Sequence, residues 1–154
     1  MNLISFTLCE KEYAIEISAV REVRRVRNIT PVPRSMESVA GVISLRGKVV
    51  PIIDTKKKLG LATAEKTSLN RVLITEVGGH TIGLVVDSII GVLKIDESAI
   101  EPPDELLKKA DYLVGVGKVD KRLILIIDMK RLLSGEDKTG ITELHKKVEI
   151  RKRG

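Results

Sequence analysis

Three kinds of side chain in this sequence could do chemistry if the fold gathered them: a single cysteine, Cys9; two histidines, His80 and His145; and the acids Asp54, Asp87 and Asp128, which each end an apolar run. A thiolate beside an imidazole would be a nucleophile, and paired carboxylates could divide acid and base roles or hold Mg²⁺. The spacing spells out neither arrangement. Cys9 ends an apolar run with both histidines remote in sequence, so it reads as a structural cysteine. His80 follows Gly78-Gly79 at a hairpin tip, where a polar surface residue is expected. The acids stand where a carboxylate caps orphan backbone N–H groups, which contributes about 1 kcal/mol. The histidines have no metal-ligand spacing. Gly78-Gly79 and Gly115-Val116-Gly117 match neither the G-x-x-x-x-G-K-S/T pattern nor a G-x-G-x-x-G that opens a helix, so neither is a phosphate loop. No catalytic residue, metal or cofactor is expected, and the chain reads as something other than an enzyme.

The elements available to position such groups are short strands. Of 154 residues 43% are apolar, but only 2% are aromatic, so the core must be built from Val, Ile and Leu, a composition suited to strands. One cysteine cannot form an intramolecular disulfide. The first eight residues lack the pattern of a signal peptide, and no run approaches the roughly 18 apolar residues of a membrane span. A cytoplasmic chain without membrane insertion is expected. Its formal charge of +6 would draw it toward acidic partners, nucleic acid or protein, without choosing between them. The C-terminal bases Lys146, Lys147, Arg151, Lys152 and Arg153 read as a solvated tail.

Apolar runs flank tight polar or glycine-containing connections in four places, the signature of β-hairpins. Ile4 to Leu8 and Tyr13 to Ile17 flank Glu10-Lys11; Val42 to Leu45 and Val49 to Ile53 flank Arg46-Gly47-Lys48. Val72 to Val77 and Thr81 to Val86 flank Gly78-Gly79; Val114 to Val119 and Leu123 to Ile127 flank Asp120-Lys121. The chain also repeats itself. Gly41 to Asp54, GVISLRGKVVPIID, aligns without gaps to Gly115 to Asp128, GVGKVDKRLILIID, at a constant spacing of 74. Leu8 to Val23 matches Val77 to Val92 in apolar pattern at a spacing of 69, with Val23 and Val92 identical. The expectation is one all-β domain over residues 1–154, made of two small five-stranded barrel lobes that divide near Ser68. Short helices are expected at Asp104 to Lys109, Met129 to Leu133 and Ile141 to Val148. In the last, Ile141, Leu144 and Val148 share one helical face and should dock on a lobe.

A basic small barrel could instead bind nucleic acid, and that reading stands as the alternative. It rests on charge alone, because Phe6, Tyr13 and Tyr112 are the only aromatics and cannot form a base-stacking platform.

The segment Gly41 to Asp54, with its Leu45-Arg46-Gly47 turn and its Pro51-Ile52-Ile53-Asp54 strand end, resembles the central signature of CheW-like domains. Its flanks follow in family order: Phe6, Tyr13-Ala14-Ile15, Val20-Arg21-Glu22-Val23, Ile29-Thr30-Pro31-Val32-Pro33, Ile82-Gly83-Leu84-Val85-Val86-Asp87, Ile100-Glu101-Pro102 and Leu123 to Asp128. The resemblance covers Leu3 to about Leu133. It implies two SH3-like lobes with a hydrophobic core and groove between them, the first strand being able to cross between lobes. It also implies an adaptor that joins the helical hairpin tip of a chemoreceptor to the CheW-like regulatory domain of the histidine kinase CheA, at receptor arrays, reaching the membrane only through receptors. Carried over residue by residue, receptor contact falls on Val20, Glu22, Val23, Ile43, Arg46, Gly47 and Val86, and kinase contact on Gly41 and Val42. Arg46 and Glu22 are expected to pair.

Overall fold

Four two-residue turns organise the chain in the computed structural model, which describes residues 1–32, 38–61, 70–104 and 110–133. Strands β1 (Asn2–Leu8) and β2 (Lys11–Glu16) join through Cys9-Glu10, and β4 (Val39–Leu45) and β5 (Lys48–Asp54) through Arg46-Gly47. Strands β6 (Asn70–Val77) and β7 (His80–Val86) join through Gly78-Gly79, and β10 (Leu113–Val119) and β11 (Arg122–Ile127) through Asp120-Lys121. The first residue of each turn has positive φ: 51° at Cys9, 50° at Arg46, 56° at Gly78 and 54° at Asp120. Such turns match the right-handed twist of the strands they connect. The first turn lies one residue earlier than expected from sequence. That register sets Ile4 opposite Ile15 and Phe6 opposite Tyr13, all four buried.

The stretches that read as connectors also contain strands: β3 (Val20–Val26), β8 (Ser88–Lys94) and the two-residue β9 (Ile100–Glu101). In β3 the apolar alternation is masked by Arg21, Glu22, Arg24 and Arg25, which the strand can carry because it is a sheet edge. The strands form a five-stranded sheet in the order β3-β6-β7-β5-β4 and a six-stranded sheet in the order β8-β1-β2-β11-β10-β9. These orders superpose, β3 on β8, β6–β7 on β1–β2 and β5–β4 on β11–β10. Ile52 pairs with Gly83 in one parallel contact and Ile126 with Ala14 in the other, which are equivalent residues by the two repeat spacings. Irregularities recur as well, between Val39 and Gly41 and between Leu113 and Gly115.

The two repeats therefore exchange their leading hairpins. β1–β2 completes the sheet of the second repeat, and β6–β7 that of the first. Residue 68 itself lies outside the described residues, but β5 and β6 on either side of it share one sheet. The chain changes sheet instead between β2 and β3 and between β7 and β8.

The exchange explains why these hairpins read as unbroken apolar runs, since both faces of each are buried. Along β6, Val72 and Ile74 point into the interior of the five-stranded sheet with Val26, Leu45, Val50 and Ile52, while Leu73 and Val77 point into the core between the sheets. Along β1, Leu3 packs with Ala14, Ile124 and Ile126 inside the six-stranded sheet, while Ile4, Phe6 and Leu8 join the shared core. Each large side chain fully buried there contributes about 1.5–3 kcal/mol.

Short helices α1 (Thr55–Lys58) and α2 (Met129–Leu132) follow β5 and β11 at repeat-equivalent places. Asp54 caps the first through the Lys57 N–H at 3.1 Å, and Asp128 the second through the Lys130 N–H at 2.8 Å. The helices expected at Asp104 to Lys109 and Ile141 to Val148 fall, beyond Asp104 itself, outside the described residues.

Candidate partner-binding site

Arg46 and Gly47 are the two central residues of the β4–β5 turn, with Leu45 paired to Lys48 and φ of 50° and 77°. Glycine takes this left-handed geometry freely, whereas a residue with a Cβ loses roughly 1–2 kcal/mol there. The Arg46 guanidinium reaches across to β3, where Nη1 donates to Glu22 Oε2 at 2.8 Å. β3 and β4 are the two outer strands of the five-stranded sheet, so this bond links its two edges. The other Glu22 oxygen accepts from Arg24 Nε at 2.5 Å. The side chain of Glu22 is 23% exposed and that of Arg46 70%. The arginine is thus anchored at one corner while its remaining donors face solvent. Hydrogen bonds from Arg46, and next from Arg24, hold the Glu22 carboxyl below the ordinary glutamate range.

The other expected contact residues divide by burial. Val23, beside Glu22 on β3, is 41% exposed. Val20 is half-buried against the core between the sheets, and Ile43 against the interior of the five-stranded sheet. Val86 does not line a surface. It is 2% exposed within the shared core, because β7 is buried on both faces.

Gly41 and Val42 lie on β4 where another part of the chain crosses it. The backbone that approaches Gly41 closely is the chain's own: a Cβ there would overlap the Thr30 carbonyl and the Ile29 side chain. Thr30 donates to the Val42 carbonyl at 3.0 Å and accepts from the Val42 N–H at 2.8 Å, so the β4 edge is already covered at this point. Gly115 meets Glu101 and Ile100 in the same way, where β9 pairs β10.

Sequence reasoning did not single out Arg24, which shares Glu22, or the exposed apolar residues of β8, Ile90 at 48% and Val92 at 65%. The identity of Val23 and Val92 was the available signal, because it places β8 where β3 stands in the other sheet. Asp87 accepts from the Cys9 N–H at 2.8 Å and pairs with Lys56 at 2.6 Å, so it ties a turn of one sheet to the helix that follows the other. Of the exposed arginines, Arg21 pairs with Glu76 and both Arg24 and Arg46 with Glu22. Among the described residues no group of His, Cys, Asp and Glu could hold a metal, and no helix is long and apolar enough to cross a membrane.

Paired β lobes that bury their exchanged hairpins, with an arginine held outward on a turn, define by class a two-lobed β fold. Residues 2–137 match the CheW-like domain model. The chain is 35% identical over 137 residues to the chemotaxis protein CheW of Bacillus subtilis, covering 88% of this chain and 88% of that protein. It is 33% identical over 135 residues to a probable chemotaxis protein CheW of Rhizobium etli, covering 86% and 87%. The crystal structure of the scaffolding protein TtCheW from Thermoanaerobacter tengcongensis superposes with a TM-score of 0.80 at 35% identity, covering 88% of this chain and 94% of that one. The chain belongs to the CheW-like domain family, and it is a non-enzymatic scaffold.

Proposed function

We propose that this chain is a chemotaxis adaptor that couples the cytoplasmic tips of chemoreceptors to the histidine kinase CheA, with the Arg46-Gly47 turn as the receptor contact. The observation that carries this reading is the Arg46–Glu22 pair, which holds an arginine at a turn apex in a conformation that disfavours any residue with a side chain. Val23 and the half-buried Val20 and Ile43 supply apolar surface near the arginine for an amphipathic helical hairpin. On the kinase side the half-buried Val42 side chain, beside the buried Gly41, is the contact, since the β4 backbone is occupied by Thr30. The protein then works in the cytoplasm at receptor arrays and meets the membrane only through receptors. Family membership favours this reading over nucleic-acid binding, for which charge alone argued.

The test is a titration of wild type and Arg46→Ala against a receptor cytoplasmic fragment and against the CheW-like domain of CheA. Binding of both by wild type, with only the receptor arm weakened in the variant, supports the assignment. Failure of wild type to bind either partner sinks it.

A further inference from the structure

Arg25 on β3 stands directly opposite Arg71 on β6 in their antiparallel register. Residues so placed bring their Cβ atoms within about 4.5–5.5 Å, and like charges there repel. The neighbouring arginines are compensated, Arg21 by Glu76 and both Arg24 and Arg46 by Glu22. Among the described residues no acid pairs with Arg25 or Arg71. The repeat spacing of 69 puts Lys94 and Asn2 at the corresponding places, and these two also pair. The second lobe thus sets its lysine against a neutral amide, and the first opposes two cations.

Both arginines lie on the side of the sheet that turns toward the core between the sheets. Glu22 and Arg24 take the other side, because Ile74 and Val72 opposite them fill the interior of the five-stranded sheet. Val23 is opposite Leu73, and Arg71 is opposite Val86 on β7; Leu73 and Val86 belong to the shared core. At the rim of that core Val23, 41% exposed, is therefore followed two positions on by the exposed Arg25 and the half-buried Arg71 beside it.

We propose that Arg25 and Arg71 together clamp a carboxylate of the bound receptor helix, a role that rests on the receptor contact assigned to Arg46 and adds the chemistry the helix must present. The two oxygens of one carboxylate can each accept charge-assisted hydrogen bonds from a guanidinium, and the anion relieves the repulsion between the cations. Between Val20 and Asn28 four arginines stand against one acid, so the strand attracts an acidic partner. Val23 and Arg25 are about 6.4–6.8 Å apart along a strand, and residues i and i+4 of a helix about 6 Å apart along its axis. An apolar residue and an acid one turn apart on the helix then meet Val23 and the clamp together. The apolar Val23 beside the arginines favours such a helix over a polyanion.

The test is a titration of the full chain as wild type, Arg25→Gln, Arg71→Asn and the double variant against a receptor cytoplasmic fragment, the CheW-like domain of CheA and a single-stranded oligonucleotide, with urea unfolding of each. Each single change should weaken the receptor arm about ten-fold, the double should lose less than the product of the two, and the kinase arm should stay within about two-fold. Removing one of two opposed charges should leave the urea midpoint unchanged or higher. Replacing the acids of the fragment singly by their amides should find one whose loss weakens wild type but not the double variant. Receptor affinity unchanged in both single variants, with Arg46→Ala still weakening it, would overturn the clamp and keep the receptor reading, whereas no receptor binding by wild type would overturn both. A lower urea midpoint in the variants would assign the pair to an acid of the chain itself, and losses confined to the oligonucleotide arm would assign it to a polyanion; either result overturns the proposal.

Discussion

Arg46 donates to Glu22 at 2.8 Å from a turn residue held at φ 50°, so a local conformational cost and an edge-to-edge ion pair meet in one side chain. The strain exceeds what an exposed ion pair usually returns, so the pair does not by itself account for the turn conformation. Asparagine tolerates this turn position. Arg46→Asn is therefore expected to leave stability in urea within about 1 kcal/mol of wild type, while receptor affinity falls ten-fold or more. A large loss of stability would reassign Arg46 from partner contact to fold.

That turn was legible in the sequence because Arg46-Gly47 interrupts two apolar strands, and so was the capping by Asp54 and Asp128. The hairpin exchange was not. Local periodicity announces a strand such as Val72 to Val77 but not the sheet that receives it, and the even match at a spacing of 69 is as compatible with adjacent lobes as with exchanged ones. Val86 was misplaced for the same reason. A strand buried on both faces gives no alternation to separate core from surface. The cover over Val42 comes from Thr30, an isolated bridge in a segment rich in proline, which no strand pattern marks.

Glu22 provides a pH test of the pair. Its folded pKa is depressed, chiefly by the hydrogen bond from Arg46, so the stabilisation is present above the unfolded glutamate pKa and is lost as pH falls through the lower folded value. Carboxyl ¹³C titration should show Glu22 protonating below the ordinary glutamate range. Arg46→Ala should move its midpoint upward, with the Arg24 bond leaving part of the depression in place. A Glu22 midpoint that ignores Arg46 would mean the pair does not persist in solution.

Gly41 and Gly115 give matched tests of the repeat. Each faces the backbone carbonyl of a crossing segment, Thr30 in one lobe and Glu101 in the other, at a distance that leaves no room for a Cβ. Neither carbonyl can move without breaking a strand contact, so Gly41→Ala and Gly115→Ala should each destabilise the chain by about 2 kcal/mol or more in urea denaturation. Comparable losses are expected because the geometry is repeated. If Gly41→Ala instead folded normally and lost only kinase binding, the glycine would serve a partner and not its own lobe.

Thr55 separates packing from hydrogen bonding at one position. It opens α1, is 0% exposed, and its hydroxyl is the buried side-chain oxygen without a hydrogen-bond partner among the described residues. At the equivalent place in the other repeat stands Met129, 5% exposed, which packs in the shared core with no polar atom to satisfy. A buried group left unpaired costs about 1–3 kcal/mol, and valine keeps the branched shape while removing the hydroxyl. Asp54 still caps the helix through its own carboxylate, so the substitution leaves that bond intact. Thr55→Val should raise the urea midpoint by an amount equivalent to about 1 kcal/mol, with an unchanged slope and unchanged receptor binding. A lower midpoint would show that the hydroxyl finds a partner in solution, such as a buried water at the foot of α1.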